Sequence, residues 1–338
     1  MPIKILIVED NPLIQLAYKK SLSAIPDFSI IGIASNGVDG LRLNEELDPD
    51  VILCDLNMPI MDGFEFTKQV MLKKPKPILI ISDLVQNENS ENIFKVLQNG
   101  ALDVLPKPKM GGDIQNIASA LELKIRILSG VFVFTKKNPN TSLDLPKQTF
   151  VNQKGTNIVL IGASTGGPQA FQHILSSLPS GFPYPIFCVQ HISPGFGESM
   201  VEWLGQTSEL QIKTVVGSEI FKPGFVYFPK DDHHLIVEKH TVTIEASNPK
   251  NGHRPSVGRL FESALRFHNT GILSFLLTGM GDDGARELKL IKDSGGYTIA
   301  QDETSSVVYG MPRVANEIGA ANEVLSLDAV VSFLRGLK

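Results

Sequence analysis

The chain has 338 residues, 42% of them hydrophobic, and a formal net charge of −5. That length suits two domains of ordinary size with real cores, and so mild an acidic balance argues against nucleic-acid binding. The two cysteines, Cys54 and Cys188, lie inside apolar runs and read as core thiols rather than a disulfide.

No stretch approaches the ~18 apolar residues of a membrane span. The first apolar run, Ile3 to Val8, is too short for a signal peptide and passes straight into Glu9-Asp10. A soluble, reduced, cytoplasmic protein without membrane insertion is expected. Val51 to Cys54 is a second apolar strand, ending at Asp55; Pro77 to Ile81 is a third, ending at Ser82. A fourth lies in Asp103-Val104-Leu105-Pro106-Lys107-Pro108 and ends at Lys107. Amphipathic segments fall between them, over about 13–24, 37–46, 62–72 and 89–98. Alternating helices and fully apolar strands predict a parallel sheet covered on both faces. Ligand sites in such sheets lie beyond the strand ends, where Glu9, Asp10, Asp55, Ser82 and Lys107 all fall. Three converging carboxylates repel one another, and a hard divalent cation such as Mg2+ relieves them. A lysine and a hydroxyl beside them could hold a phosphoryl group on Asp55.

The segment Asp55-Leu56-Asn57-Met58-Pro59-Ile60-Met61-Asp62-Gly63 resembles the phosphorylation loop of response-regulator receiver domains, and Glu9-Asp10, Ser82 and Lys107-Pro108 follow that pattern in order. The resemblance covers roughly residues 1–128. It implies a flavodoxin-like, five-stranded parallel domain with Asp55 as phosphoacceptor. It also implies Mg2+ on Glu9, Asp10, Asp55 and the Asn57 carbonyl, and Ser82 and Lys107 reading the phosphorylated state. By the same resemblance the Lys107–Pro108 bond is expected to be cis, although an isolated X-Pro bond favours trans.

A last amphipathic helix is predicted over 113–128, with Ile114, Ile117, Ala120, Leu121 and Ile125 on one stripe. Residues 129–154 are polar and turn-rich, as a linker is. Within it Val131-Phe132-Val133-Phe134 is too apolar for a solvated tether and is expected to pack on a domain.

The third region, 155–338, opens on Asn157-Ile158-Val159-Leu160-Ile161-Gly162-Ala163-Ser164-Thr165-Gly166-Gly167-Pro168. A buried strand ends at Gly162, and Pro168 suits the first turn of a helix carrying Ala170, Phe171, Ile174, Leu175 and Leu178. Ser164 therefore sits in a tight strand-to-helix turn, which is expected to expose its hydroxyl beside the N–H groups of the helix start. Gly162 to Gly166 fits the G-x-S-x-G nucleophile elbow, and equally a glycine-rich anion loop. Tyr184 to Gln190 is a further strand, with His191 at its end; Gly271 to Thr278 is another, followed by Gly279-Met280-Gly281-Asp282-Asp283-Gly284. In a parallel sheet these ends share one rim, bringing together a hydroxyl, a base and an acid that can hold the base's tautomer. Spacing does not separate Asp282 from Asp283. The order Ser, His, Asp differs from the Ser, Asp, His of α/β-hydrolases. Asp231-Asp232-His233-His234 looks like a metal cluster, but strand neighbours point to opposite faces. His253-Arg254-Pro255-Ser256 offers either a cation for substrate or a solvated turn, and Trp203 reads as core.

Gly162-Ala163-Ser164-Thr165-Gly166-Gly167, Val189-Gln190-His191, Arg254-Pro255-Ser256-Val257, Leu277 to Gly284, Ala300-Gln301-Asp302-Glu303 and Ser305 to Arg313 together resemble the catalytic domain of chemotaxis protein-glutamate methylesterases, the CheB family. The resemblance implies a doubly wound, mostly parallel α/β domain over 155–338. It implies Ser164 as nucleophile, His191 as general base and Asp283 as orienting acid, with backbone N–H groups of Thr165 and Met280 as the oxyanion hole and no cofactor in that domain. It also implies hydrolysis of glutamate methyl esters on chemoreceptors, with deamidation of receptor glutamines in some members. A chemotaxis-type histidine kinase would be the phosphodonor, and the protein is expected to be a monomer. Two departures stand out. Gly258 follows Val257 where the family usually has aspartate, and the chain lacks an aromatic receptor-binding peptide, ending Phe333-Leu334-Arg335-Gly336-Leu337-Lys338. A phosphorylation-dependent scaffold is disfavoured by the intact Ser164, His191 and Asp283. A receiver-linked transcription factor is disfavoured because no basic recognition helix follows residue 155.

Overall fold

The structure, a computed structural model, describes residues 1–82, 90–107, 114–131, 133, 157–268 and 270–337. The Lys107–Pro108 bond, most of the 129–154 linker and two of the four residues of the Val131–Phe134 run lie outside them. The chain divides into two compact units, Met1–Asp144 and Leu145–Lys338.

In the first unit the predicted alternation holds: β1 (Ile3–Val8), α1 (Pro12–Ser23), β2 (Phe28–Ala34), α2 (Gly37–Leu47), β3 (Val51–Asp55), α3 (Gly63–Lys73), β4 (Ile78–Ser82), α4 (Ser90–Gln98), β5 (Asp103–Pro106) and α5 (Ile114–Leu128). The five strands pair in parallel in the order β2-β1-β3-β4-β5. Strands β1, β3 and β4 are almost wholly buried because helices cover both faces. β2 is the strand that periodicity does not reveal. It is an edge strand, its sequence Phe28-Ser29-Ile30-Ile31-Gly32-Ile33-Ala34 is broken by Ser29 and Gly32, and its middle is only half-buried. Asn11, Asn36 and Asp62 each cap a helix through a side-chain oxygen, which fixes where α1, α2 and α3 begin.

The second unit is built on a seven-stranded parallel sheet. Its strands are β6 (Ile158–Ala163), β7 (Ile186–Gln190), β8 (Gln211–Val215), β10 (Phe225–Pro229), β13 (Ile272–Leu276), β14 (Tyr297–Gln301) and β15 (Glu323–Leu325), with α6 (Gly167–Leu175), α7 (Gly197–Thr207), α8 (Val257–Leu265), α9 (Ala285–Asp293), α10 (Met311–Glu317) and α11 (Leu327–Arg335) around it. The order is β15-β14-β13-β6-β7-β10-β8. Strand order reverses between β6 and β13, and a crevice forms at such a reversal. A separate antiparallel sheet, β9 (Glu219–Ile220), β11 (His234–Val237) and β12 (Thr241–Glu245), was not visible in the sequence pattern. It joins α8 through Val237 N–H, which donates to the Ser263 hydroxyl at 3.0 Å, and through His234 Nδ1, which accepts from N–H of the α8 cap residue Ser256 at 3.2 Å. Trp203 is core, and Cys54 and Cys188 are free, buried thiols that burial pushes to higher pKa.

Candidate functional site

In the first unit, β1 delivers Glu9 and Asp10, β3 delivers Asp55, and β4 and β5 deliver Ser82 and Lys107 to one end of the sheet. Ligand atoms of Glu9, Asp10 and Asp55 lie within 4.8 Å of one another. Lys107 Nζ donates to Asp55 Oδ2 at 2.6 Å and to Glu9 Oε1 at 3.1 Å. Asn57 N–H donates to Asp55 Oδ1 at 3.3 Å, and Lys107 N–H donates to the Ser82 carbonyl at 2.9 Å. Glu9 Oε2 is buried with no hydrogen-bond partner. Burial, and then the charge of Asp55, push the Glu9 carboxyl up to about 7, against the pull of Lys107. Burial also raises Asp55, which the Lys107 contact opposes without overcoming. Burial alone would lower the Lys107 ammonium, yet Asp55 and Glu9 raise it. One lysine does not neutralise three carboxylates, and the orphaned Glu9 oxygen is a ready ligand atom. Those features fit a hard divalent cation.

The second unit assembles its polar residues beyond β6, β7 and β13. Ala163 of β6 pairs with Gln190 of β7, so Ser164 and His191 are the next residues on adjacent strands. His191 N–H donates to the Ala163 carbonyl at 3.0 Å, and Ser164 N–H to the Thr278 carbonyl at 3.0 Å. Gly166, at φ +80°, is the left-handed residue that lets the chain turn into α6, with Pro168 in its first turn. A Cβ on Gly279 would lie 2.6 Å from Ser164 Cβ, so the segment running into Met280 is pressed against the serine. The turn does not leave Ser164 open as expected: it is 6% exposed, because this segment packs on it. Thr165 is buried and Met280 is partly exposed.

Asp283 faces His191, and the neighbouring Asp282 faces solvent. His191 Nε2 and Asp283 Oδ2 are 2.9 Å apart. Three more donors reach the same carboxylate: the Ser256 hydroxyl at 2.9 Å, Val257 N–H at 2.7 Å and Gly258 N–H at 3.2 Å. Burial alone would raise the Asp283 pKa, but His191, Ser256 and Val257 together hold it below the usual carboxylate range. His191 Nδ1 is buried without a partner. The His253 ring stacks on His191 with centroids 4.0 Å apart and planes 4° from parallel.

A family model described as CheB methylesterase matches residues 159–334, more than half of the chain, and one described as response regulator receiver domain matches residues 5–119. The chain belongs to the CheB methylesterase family. A relative from Methanospirillum hungatei, named protein-glutamate methylesterase/protein-glutamine glutaminase 2, is 37% identical over 99% of this chain and 98% of its own. One from Carboxydothermus hydrogenoformans, with the same activity name, is 39% identical over 97% of this chain and 96% of its own. The crystal structure of the Thermotoga maritima CheB methylesterase catalytic domain is 38% identical, with a TM-score of 0.51, and matches 53% of this chain and 97% of that one.

The Asp231–His234 run holds no metal cluster. Among the described residues, only Glu9, Asp10 and Asp55 group as metal ligands would. Asp231 Oδ2 accepts from Gly195 N–H, Asp232 binds Arg254, and His233 Nδ1 meets the Asp231 carbonyl. His234 is buried, which lowers its pKa; its Nε2 meets the Asn248 carbonyl, and its Nδ1 accepts from Ser256 N–H. Nor is His253-Arg254-Pro255-Ser256 a solvated turn. The Arg254 guanidinium is spent on Asp232 and the Ser247 carbonyl, the Arg254–Pro255 bond is cis, and Ser256 reaches Asp283. Ser256 is the residue the sequence undersold. It caps α8, accepting from Arg259 N–H, while its hydroxyl proton goes to Asp283. In α8, Gly258 lies against that aspartate: a Cβ there would sit 2.7 Å from Glu287 Oε2 and 3.0 Å from Asp283 Oδ1.

Proposed function

We propose that the chain is a receiver-controlled serine esterase that hydrolyses γ-methyl esters of glutamate on chemoreceptors at Ser164. The observation that carries the catalytic reading is the Asp283 carboxylate, buried, ionised and turned to His191, one strand away from Ser164. Ser164 Oγ attacks the ester carbonyl and passes its proton to His191 at Nδ1, the nitrogen that Asp283 does not engage. Asp283 stabilises the imidazolium. The oxyanion gathers donation from the Thr165 and Met280 N–H groups. Collapse breaks the bond to the methoxy oxygen, which takes the His191 proton and leaves as methanol. Water, deprotonated by His191, then attacks the acyl carbon and returns free glutamate and Ser164. A receptor glutamine would follow the same steps with ammonia as the leaving group, in keeping with the relatives' double name.

In the receiver, Asp55 takes the phosphoryl group from a chemotaxis-type histidine kinase. Glu9, Asp10, Asp55 and the Asn57 carbonyl would hold Mg2+, which when bound offsets phosphoryl charge. Lys107, now paired with Asp55, and the Ser82 hydroxyl would turn to the phosphoryl oxygens. Domains over 1–128 and 155–338, a linker over 129–154, a cytoplasmic location and a monomeric state complete the reading. The test is methanol release from receptor membranes carrying labelled methyl esters. Ser164→Ala should lose many orders of magnitude and retain only the residual of binding and oxyanion hole, on the order of 10³–10⁴ over water. Near wild-type turnover in that variant would sink the assignment.

A further inference from the structure

Gln190 is the last residue of β7, immediately before His191, and its side chain is buried. Its Nε2 donates to the Ser164 carbonyl at 2.7 Å and to the His191 carbonyl at 2.8 Å. Both amide protons are therefore used, one on each of the two loops that leave the paired strands. We infer that Gln190 is a positioning residue for the esterase reaction proposed above, its amide clamping the Ser164 loop to the His191 loop.

The chemistry of the position supports this. The ladder between β6 and β7 ends with His191 N–H on the Ala163 carbonyl, and beyond it the loops part, one entering α6. Two backbone carbonyls brought together there repel, and a single neutral group with two N–H donors joins them. Lysine or arginine would bring an uncompensated charge into a buried place, and asparagine is one methylene shorter. The amide is held for its donors, since Gln190 Oε1 is buried without a partner. Gly167 supplies an independent sign. Its φ is not left-handed, so its backbone does not demand glycine. A Cβ at 167 would instead lie 1.8 Å from Gln190 Oε1, 2.8 Å from its Cδ and 2.8 Å from Ala163 Cβ, the deepest overlap by far being with the amide oxygen. The slot that receives the amide exists because residue 167 has no side chain.

Removing the clamp should not unfold the unit. The Ser164 carbonyl also accepts from Gly167 N–H at 2.8 Å and keeps a donor. The relative placement of hydroxyl and imidazole is what would loosen, and a misplacement of about 1 Å costs about 10²-fold in rate.

The test uses the full chain with a small phosphodonor and Mg2+, following methanol release from labelled receptor membranes. Gln190→Met keeps the length and loses both donors. We expect its kcat to fall about 10²-fold with KM within about twofold, by the same positional argument. Gly167→Ala leaves the glutamine intact but evicts its amide, so kcat should fall in the same way. The double variant should be no worse than Gln190→Met alone, a non-additivity that two unrelated structural defects would not give. The clamp is overturned if Gln190→Met keeps kcat within about threefold, or if the two losses simply multiply. Should Gln190→Met fail to fold, Gly167→Ala alone decides: a kcat loss at constant KM supports the clamp, and unchanged kcat refutes it. Ser164→Ala runs beside them. Activity surviving in that variant would remove the serine-esterase reading itself, whereas its loss beside an active Gln190→Met would remove only the clamp.

Discussion

Replacing Asp283 by asparagine keeps the shape of the side chain and changes what its oxygens can do. Oδ2 now faces His191 Nε2 and Val257 N–H; Oδ1 faces the Ser256 hydroxyl and Gly258 N–H. An asparagine must set its NH2 against one of these donor pairs. The Ser256 hydroxyl can rotate to accept, and His191 Nε2 can accept in its other tautomer, whereas a backbone N–H cannot. Whichever way the amide turns, one buried backbone N–H, that of Gly258 or of Val257, is left unpaired, which costs about 1–3 kcal/mol of stability. The larger loss is in turnover, because no carboxylate remains to stabilise the His191 imidazolium and the amide admits the wrong His191 tautomer. The same change in a Ser-His-Asp site costs about 10⁴ in kcat, or about 5 kcal/mol of transition-state free energy. Asp282 is exposed, so Asp282→Asn should stay within about threefold of the parent chain, as surface changes do. Methanol release from labelled receptor membranes measures both, with melting curves to show that each variant is folded. Equal losses in the two variants, or Asp283→Asn retaining more than about a tenth of parental kcat, would refute the assignment of Asp283 as the acid.

A small phosphodonor with Mg2+ should stimulate methanol release by the full chain and leave Asp55→Ala unmoved; a parent chain indifferent to the donor would strip the receiver of its controlling role. Mg2+ binding should weaken as pH falls through about 7, because burial and the Asp55 charge let Glu9 hold its proton up to that point, and a proton and a cation compete for it. Calorimetric affinities that match at about pH 6 and about pH 8 would exclude Glu9 as a ligand. Gly258→Asp should destabilise the chain by about 1–3 kcal/mol through overpacking, since its Cβ meets the Glu287 and Asp283 carboxylates. Adding Glu287→Ala should recover most of that loss in denaturant melts, and simple additivity of the two changes would show that they do not compete for one space.

The sequence was legible where a buried strand stands out as one apolar stretch ending in a polar residue, although the buried β10 and β14 went unread. β1, β3, β4, β6, β7 and β13 are continuous apolar runs, and each hands a polar residue to the rim. The edge strand β2 and the small antiparallel sheet escaped notice because half-buried strands mix polar and apolar residues, and β9 spans just Glu219–Ile220. The aspartate pair could not be resolved by spacing. The choice depends on a glycine-rich turn that buries one carboxylate under the α8 start and leaves its neighbour in water. The groups that satisfy Asp283 come from residues 256–258, far from it in the chain, and backbone N–H donors carry no signature in side-chain identity. The stacking of His253 on His191 was hidden for the same reason: it is made by a long-range turn, not by a pattern.

The two sites share a construction and differ in one respect that matters for what they do. Each lies where its own sheet reverses strand order, between β1 and β3 in the first unit and between β6 and β13 in the second. In the second unit the central carboxylate is fully satisfied: four donors hold Asp283, its charge is secure, and its partner imidazole is fixed in plane by a stacked ring. Groups held in that way need little rearrangement when charge develops on them, which is the condition for fast chemistry. In the first unit the balance is left open. Glu9 keeps an unpartnered buried oxygen and a raised pKa, and a single lysine divides itself between two carboxylates. An arrangement left in that state gains stability from whatever cation or phosphoryl group arrives, and its lysine must choose a new partner when one does. A satisfied carboxylate suits a catalyst, and an unsatisfied cluster suits a switch. The contrast between Asp283 and Glu9 is therefore the physical reason to assign turnover to the second unit and responsiveness to the first.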